Sequence, residues 1–250
     1  MFETRQRSNT EIELLHPVNQ EVSHYIFSTL TTDFTNLKKL KETSFVRKVE
    51  VIYLGQLKSN NIFQLLCTAV DFHGDYLEDA SLLRKICYVF DEVVVSVNAA
   101  GNIIQVNNHV EILKRWQDTK AVLEKETEGY IVSGFFDTMD RLMSNTEDLI
   151  RLLSENKMYG LYFNGYWGKH HNQTPRLKQL DDTRTEQIEV FEYDRKERGV
   201  ELSINLLNSD ELYNGRFLYQ DHQLMEASLE LNELDHHIKY NVLCLGLRKY

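Results

Sequence analysis

The chain has 250 residues, 42% of them hydrophobic, with 28 basic against 38 acidic side chains and a net charge of −10. A chain of this length buries roughly 70–75% of its unfolded surface, so neither a disulfide framework nor a structural metal is needed to stabilise it. The acidic balance repels phosphate backbones and argues against nucleic acid as a partner, and no apolar run reaches the roughly 18 residues of a membrane-spanning helix.

Residues 1–20 are polar and read as an N-terminal arm. Over residues 22–31, Val22, Tyr25, Ile26, Phe27 and Thr29 are aromatic or β-branched, which favours a strand. Val22, Tyr25, Ile26 and Leu30 would also fit one face of a helix. Phe34, Leu37 and Leu40 have helical spacing over a short piece. Val49, Val51 and Tyr53 alternate as a strand, and Gly55 with Ser59-Asn60-Asn61 brackets a turn region. From Ile62 to Phe72 the chain is apolar on both faces, the pattern of an interior strand covered on both sides.

Asp79 then precedes Leu82, Leu83, Ile86, Val89 and Phe90, spaced as a short amphipathic helix with Asp79 near its N-cap. Residues 93–95 and 103–106 flank Asn98-Ala99-Ala100-Gly101-Asn102, whose glycine and asparagines can supply the positive φ of a hairpin turn.

Residues 108–156 predict a helical insertion. Asn108 and Glu111 have capping-box spacing, and Ile112, Leu113, Trp116 and Leu123 share a face. Gly129 ends that helix. Tyr130, Ile131, Phe135, Met139 and Leu142 form the stripe of a second. Ser144 with Glu147 repeats the capping spacing before Leu149, Ile150, Leu152 and Leu153. Residues 168–186 read as a polar connection containing Pro175. Beyond it Val200, Leu202, Ile204 and Leu206 alternate with polar residues, as do Met225, Ala227, Leu229 and Leu231, and then Ile238, Tyr240, Val242 and Cys244. Such alternation specifies an antiparallel sheet with one wet face.

The expected fold is therefore α+β: a large curved antiparallel sheet in strands–helices–strands order, with the mid-chain helices packed on one face. Only Pro17 and Pro175 occur and no linker composition divides the chain, so residues 1–250 are expected to form a single domain.

Chemical signatures are sparse. The sequence has no phosphate-cradling glycine motif, no C-x-x-C, no H-E-x-x-H and no G-x-S-x-G. His170-His171 and His236-His237 are adjacent pairs, and adjacent strand residues point to opposite faces, so neither pair readily chelates one ion. Carboxylate pairs such as Asp137/Asp140 and Asp181/Asp182 are expected by chance among so many acidic residues. No metal or cofactor is expected, and no catalytic residue stands out. Cys67, Cys87 and Cys244 form an odd set inside apolar runs and predict reduced thiols in a cytoplasmic protein. No apolar leader follows Met1, which predicts the absence of a signal peptide.

One segment departs from this plainness. Tyr159, Tyr162, Phe163, Tyr166 and Trp167 crowd together with Gly160, Gly165 and Gly168 between them. Large rings with polar tips suit a binding surface for a protein partner or an apolar small molecule. They suit equally a plug that fills the sheet where the helices hand the chain back to strands, and the balance favours the plug.

The strands–helices–strands order resembles the curved half-barrel carriers of the LolA, lipoprotein-carrier type, in which an antiparallel sheet wraps around inserted helices. That likeness is one of pattern and implies a fold rather than an activity. The functional reading is a non-catalytic binding or scaffold protein, such as a subunit of a larger bacterial assembly. The alternatives are a carrier holding an apolar small molecule or lipid between sheet and helices, and an enzyme whose site is assembled from distant residues. The sequence carries no sign of oligomeric state.

Overall fold

The computed structural model describes residues 12–14, 22–36, 39–74, 80–126, 130–171, 174–179, 186–207, 212–221 and 223–248. In chain order the elements are β1 (Ile12–Leu14), β2 (Val22–Asp33), β3 (Lys41–Leu57), β4 (Asn60–Gly74), α1 (Ala80–Tyr88), β5 (Glu92–Val97) and β6 (Ile103–Val106). Next come α2 (His109–Glu126), α3 (Tyr130–Ser144) and α4 (Thr146–Ser154). The chain then returns to strands: β7 (Gly168–His170), β8 (Thr174–Gln179), β9 (Glu186–Lys196), β10 (Gly199–Leu206), β11 (Tyr213–Gln220), β12 (Gln223–Glu233) and β13 (His236–Arg248).

Alternation of residue type becomes alternation of burial. Leu202 and Ile204 of β10, Ala227, Leu229 and Leu231 of β12, and Ile238, Tyr240 and Val242 of β13 are all buried on one face. Tyr25 and Phe27 of β2, Val49 and Val51 of β3, and Phe63 and Leu65 of β4 continue that face. The strands form an open, curved, antiparallel sheet of eleven strands in the order β6-β5-β4-β3-β2-β13-β12-β11-β10-β9-β8, with β1 and β7 as a separate pair. The fold is the α+β architecture expected, with the helices mid-chain and on the inner face.

The order has a consequence for what must cover that face. β2 pairs with β13 from Val22↔Arg248 to Asp33↔His236, so the first and last long strands are neighbours at the centre of the sheet. From β2 the chain steps outward to the edge strand β6. It must then reach the opposite edge, β8, before stepping back to the centre. At ~4.8 Å per strand this crossing traverses on the order of 45–50 Å of sheet. The chain between β6 and β8 makes it: α2, α3 and α4, then residues 155–167. The side chains that this route turns toward the apolar face of the sheet must themselves be largely apolar, as are Ile112, Trp116 and Leu123 of α2 and Leu149 and Leu153 of α4.

Several local expectations are corrected. Residues 34–36 are not helical and β3 begins at Lys41, so Phe34 and Leu40 lie outside any helix; Leu37 falls outside the described residues. β4 is interior to the sheet, but only one of its faces is fully buried; Ile62, Leu66 and Val70 remain half-exposed. Asn108 precedes α2, yet its side-chain oxygen accepts from the Val94 N–H at 2.8 Å and its amide donates to the Glu92 carbonyl at 3.0 Å. It ties the helix start to β5 instead of closing a capping box. The cap of α4 is Asn145, which accepts from the Glu147 N–H at 2.9 Å; Ser144 instead donates to the Asp140 carbonyl of its own helix. Part of the stretch expected as an arm is ordered into β1, whose Ile12 and Leu14 are buried. The stretch expected as a polar connection carries β7 and β8. Asp79 and Gly129 lie outside the described residues.

Candidate functional site

The five aromatic residues come together in one layer on the inner face. After α4 the chain turns tightly, with the Tyr159 N–H bonded to the Leu153 carbonyl at 3.1 Å and the Tyr162 N–H to the Tyr159 carbonyl at 2.9 Å. Glycine is required at position 160, where a Cβ would sit 2.2 Å from the Ser154 carbonyl oxygen. The segment then runs beneath the centre of the sheet. Tyr159, Tyr162, Phe163, Tyr166 and Trp167 are each between 0% and 5% exposed.

Their contacts are edge-to-face or tilted ring pairs, each typically worth ~0.5–1.5 kcal/mol beyond its buried area. Tyr159 meets Phe27 at 5.5 Å, Tyr162 meets Tyr25 at 5.2 Å, and Phe163 meets Phe63 at 5.3 Å. Tyr166 reaches the other half of the sheet, at 5.8 Å from Phe191 and 5.7 Å from Phe217. The Trp167 ring is 5.7 Å from Phe63, and the Trp167 backbone N–H donates to the Ala100 carbonyl at 3.0 Å. The turn before β6 admits it because Gly101 has φ +89 and a Cβ there would lie 2.8 Å from the indole.

Each end of the segment is held by an arginine. At the near end, Arg47 of β3 is 4% exposed; its Nη2 donates to the Lys157 carbonyl at 2.8 Å and also to that of Met158. Its guanidinium lies 4.9 Å from the centre of the Tyr159 ring. At the far end, Arg176 of β8 donates through Nη1 to the carbonyls of Asn164 at 2.8 Å and Gly165 at 3.2 Å. It lies 3.9 Å over the Tyr166 ring.

Arg176 is paired with Glu189 of β9, whose Oε2 accepts from Nη2 at 2.8 Å, from Nε at 3.1 Å and from the Tyr166 hydroxyl at 2.7 Å. The other oxygen accepts from the Tyr213 hydroxyl. Glu189 is fully buried. Both carboxylate oxygens are thus satisfied, the condition under which a buried ion pair is tolerated. Burial, and then the Glu189 charge, push the Tyr166 and Tyr213 hydroxyls far above the usual tyrosine range, so both stay protonated donors.

Arg47, Arg176 and Glu189 were not picked out in the sequence. Arg47 and Glu189 nevertheless leave a mark there. Arg47 stands in phase with Val49 and Val51, and Glu189 in phase with Phe191, so each is a charge in the inward phase of a strand. Nothing local distinguishes Arg176.

The remaining candidates do little. Cys67, Cys87 and Cys244 are half-buried free thiols. Burial raises all three, Cys87 to about 11, which leaves them poor nucleophiles at neutral pH. The His170 ring donates to the Tyr166 carbonyl. Among the described residues no group of three or more His, Cys, Asp or Glu is arranged to hold a metal ion. No helix there is long and apolar enough to cross a membrane. A groove of about 430 Å³ lies on the helical layer, where Asp140 accepts from the Trp116 indole at 2.7 Å and from Lys120 at 2.6 Å.

No family model and no curated protein matches the chain. Among solved structures, lipovitellin, described for its lipid–protein interactions, is similar at 8% identity and a TM-score of 0.45 over 92% of this chain. This chain spans only 26% of that one. DynF, from the dynemicin biosynthesis pathway of Micromonospora chersina, is similar at 6% identity and a TM-score of 0.21, over 95% of this chain and 86% of its own. At these values neither neighbour defines a family or an activity for this chain.

Proposed function

We propose that the protein is a non-catalytic binding scaffold, a single domain that presents its outer surfaces to a protein partner within a larger assembly. The observation that carries this reading is the filling of the inner face by the chain itself. Tyr159, Tyr162, Phe163, Tyr166 and Trp167 occupy the space between sheet and helices, where a carrier of the half-barrel type would hold its cargo. The Tyr166 hydroxyl and the arginines at either end are engaged in fixing the segment. In this reading the five aromatic residues serve the fold. They become binding residues only in the carrier alternative, which requires the segment to leave the sheet.

Native mass spectrometry of the protein purified without detergent separates the two. The scaffold reading expects the bare chain, or the chain with a protein partner in fixed stoichiometry. One equivalent of co-purified lipid would reject it in favour of the carrier.

A further inference from the structure

The two arginines that hold the aromatic segment differ in one respect. Arg176 has a counter-charge in Glu189. Arg47, though more deeply buried, has no carboxylate within ion-pairing distance among the described residues. Its surroundings are two carbonyl oxygens, the Met158 sulfur at 3.5 Å, and the rings of Phe27, Phe45 and Tyr159 at 5.7, 5.3 and 4.9 Å. Carbonyl dipoles and ring faces ease the burial of a cation but bring no opposite charge. Two donors here also lack acceptors: Arg47 Nε and the Tyr159 hydroxyl are both buried without a hydrogen-bond partner. Native folds seldom leave such groups unpaired, and a bound ion is one of the standard reasons when they do.

We propose that Arg47 and Tyr159 form a binding site for a small oxyanion, a carboxylate or phosphate group, which accepts from Arg47 Nε and the Tyr159 hydroxyl and supplies the charge that Arg47 lacks. Burial raises the Tyr159 hydroxyl to about 12, so it remains a donor at neutral pH. The half-buried Phe45 and Met158 contact the Arg47 guanidinium, and its charge reaches the half-buried Cys67 and Cys87. Asp91 is the acidic residue whose charge reaches Tyr159 and both thiols, and its own attractive partner is Arg115. The inference goes beyond the scaffold reading, since it holds whether the protein's main partner is a protein or a lipid.

The test is calorimetric titration and thermal melting of the full chain with inorganic phosphate, acetate, octanoate and octanol, against sodium chloride at matched ionic strength. Saturable binding of phosphate or a carboxylate is expected, with a rise in melting temperature. Tighter binding of octanoate than of acetate and phosphate assigns the anion to an amphiphile headgroup; the reverse order assigns it to a free anion. Tyr159→Phe keeps the ring and removes one unpaired donor, so it should fold at least as stably and bind the anion ~10-fold more weakly, the equivalent of one charge-assisted hydrogen bond. Arg47→Gln should abolish binding; if that variant does not fold, Tyr159→Phe decides alone. The proposal is overturned if the wild type shows no saturable effect beyond chloride, if Tyr159→Phe binds as tightly as the wild type, or if octanol binds as well as octanoate.

Discussion

Glu189 is held on every side. It is fully buried, and its two oxygens meet two tyrosine hydroxyls and a guanidinium. Replacing Glu189 with Gln preserves the shape and removes the charge, leaving Arg176 without its counter-ion. Removal of one partner of a buried pair typically costs 3–5 kcal/mol. Because Arg176 keeps 27% side-chain exposure, the loss here should fall at the lower end, ~3 kcal/mol. Urea unfolding of Glu189→Gln measures it directly. A loss below ~1 kcal/mol would mean that the pair behaves as a surface contact and does not anchor the segment.

At the scale of elements, the helix caps show how local chemistry is redistributed. Asn145 makes the bond that starts α4, so Asn145→Ala should cost ~1 kcal/mol, read as a lower melting temperature, while Ser144→Ala should cost less. The capping spacing in the sequence located the start of α4 to within one residue but assigned the cap to the neighbouring side chain. For α2 the same spacing marked the right boundary with the wrong partners, because Asn108 is drawn to the free backbone groups of β5. Strands were legible wherever one face is wet, as in β10, β12 and β13, since alternation is a local property. β8 was not legible: it is an edge strand with Pro175 inside it and an exposed Leu177, and nothing in its own sequence alternates. The crowding of Tyr159 to Trp167 was visible, but the arginines that hold it were not. Pairing Arg47 with Lys157, or Arg176 with Asn164, is a contact between elements that only the assembled sheet brings together.

At the scale of the whole molecule, the inner face is a layer of tyrosines. Burial raises the hydroxyls of Tyr25, Tyr159, Tyr162, Tyr166, Tyr213, Tyr219 and Tyr240 above their ordinary value. An acid whose folded pKa is raised binds more protons folded than unfolded. Its contribution is therefore fully present below the unfolded value of about 10 and is lost as pH rises above it. Each such tyrosine removes on the order of 1.4 kcal/mol of stability per pH unit in that window. The protein should thus unfold cooperatively between roughly pH 10 and 12, with the absorbance of these buried tyrosines' phenolates appearing in one steep step coincident with loss of circular dichroism. A gradual, fully reversible titration of all the tyrosines near pH 10, with the fold retained, would contradict the buried layer.

The central claim is that the chain closes its own inner face with residues 157–167, and Trp167→Ala tests it most directly. Trp167 is 5% exposed and sits between Phe63, Phe163 and Gly101. Denaturant unfolding of the variant should show a loss of ~3–5 kcal/mol, the cost of truncating a large buried aromatic. Unchanged stability accompanied by lost affinity for a partner or an apolar ligand would contradict the claim and make the aromatic segment a binding surface.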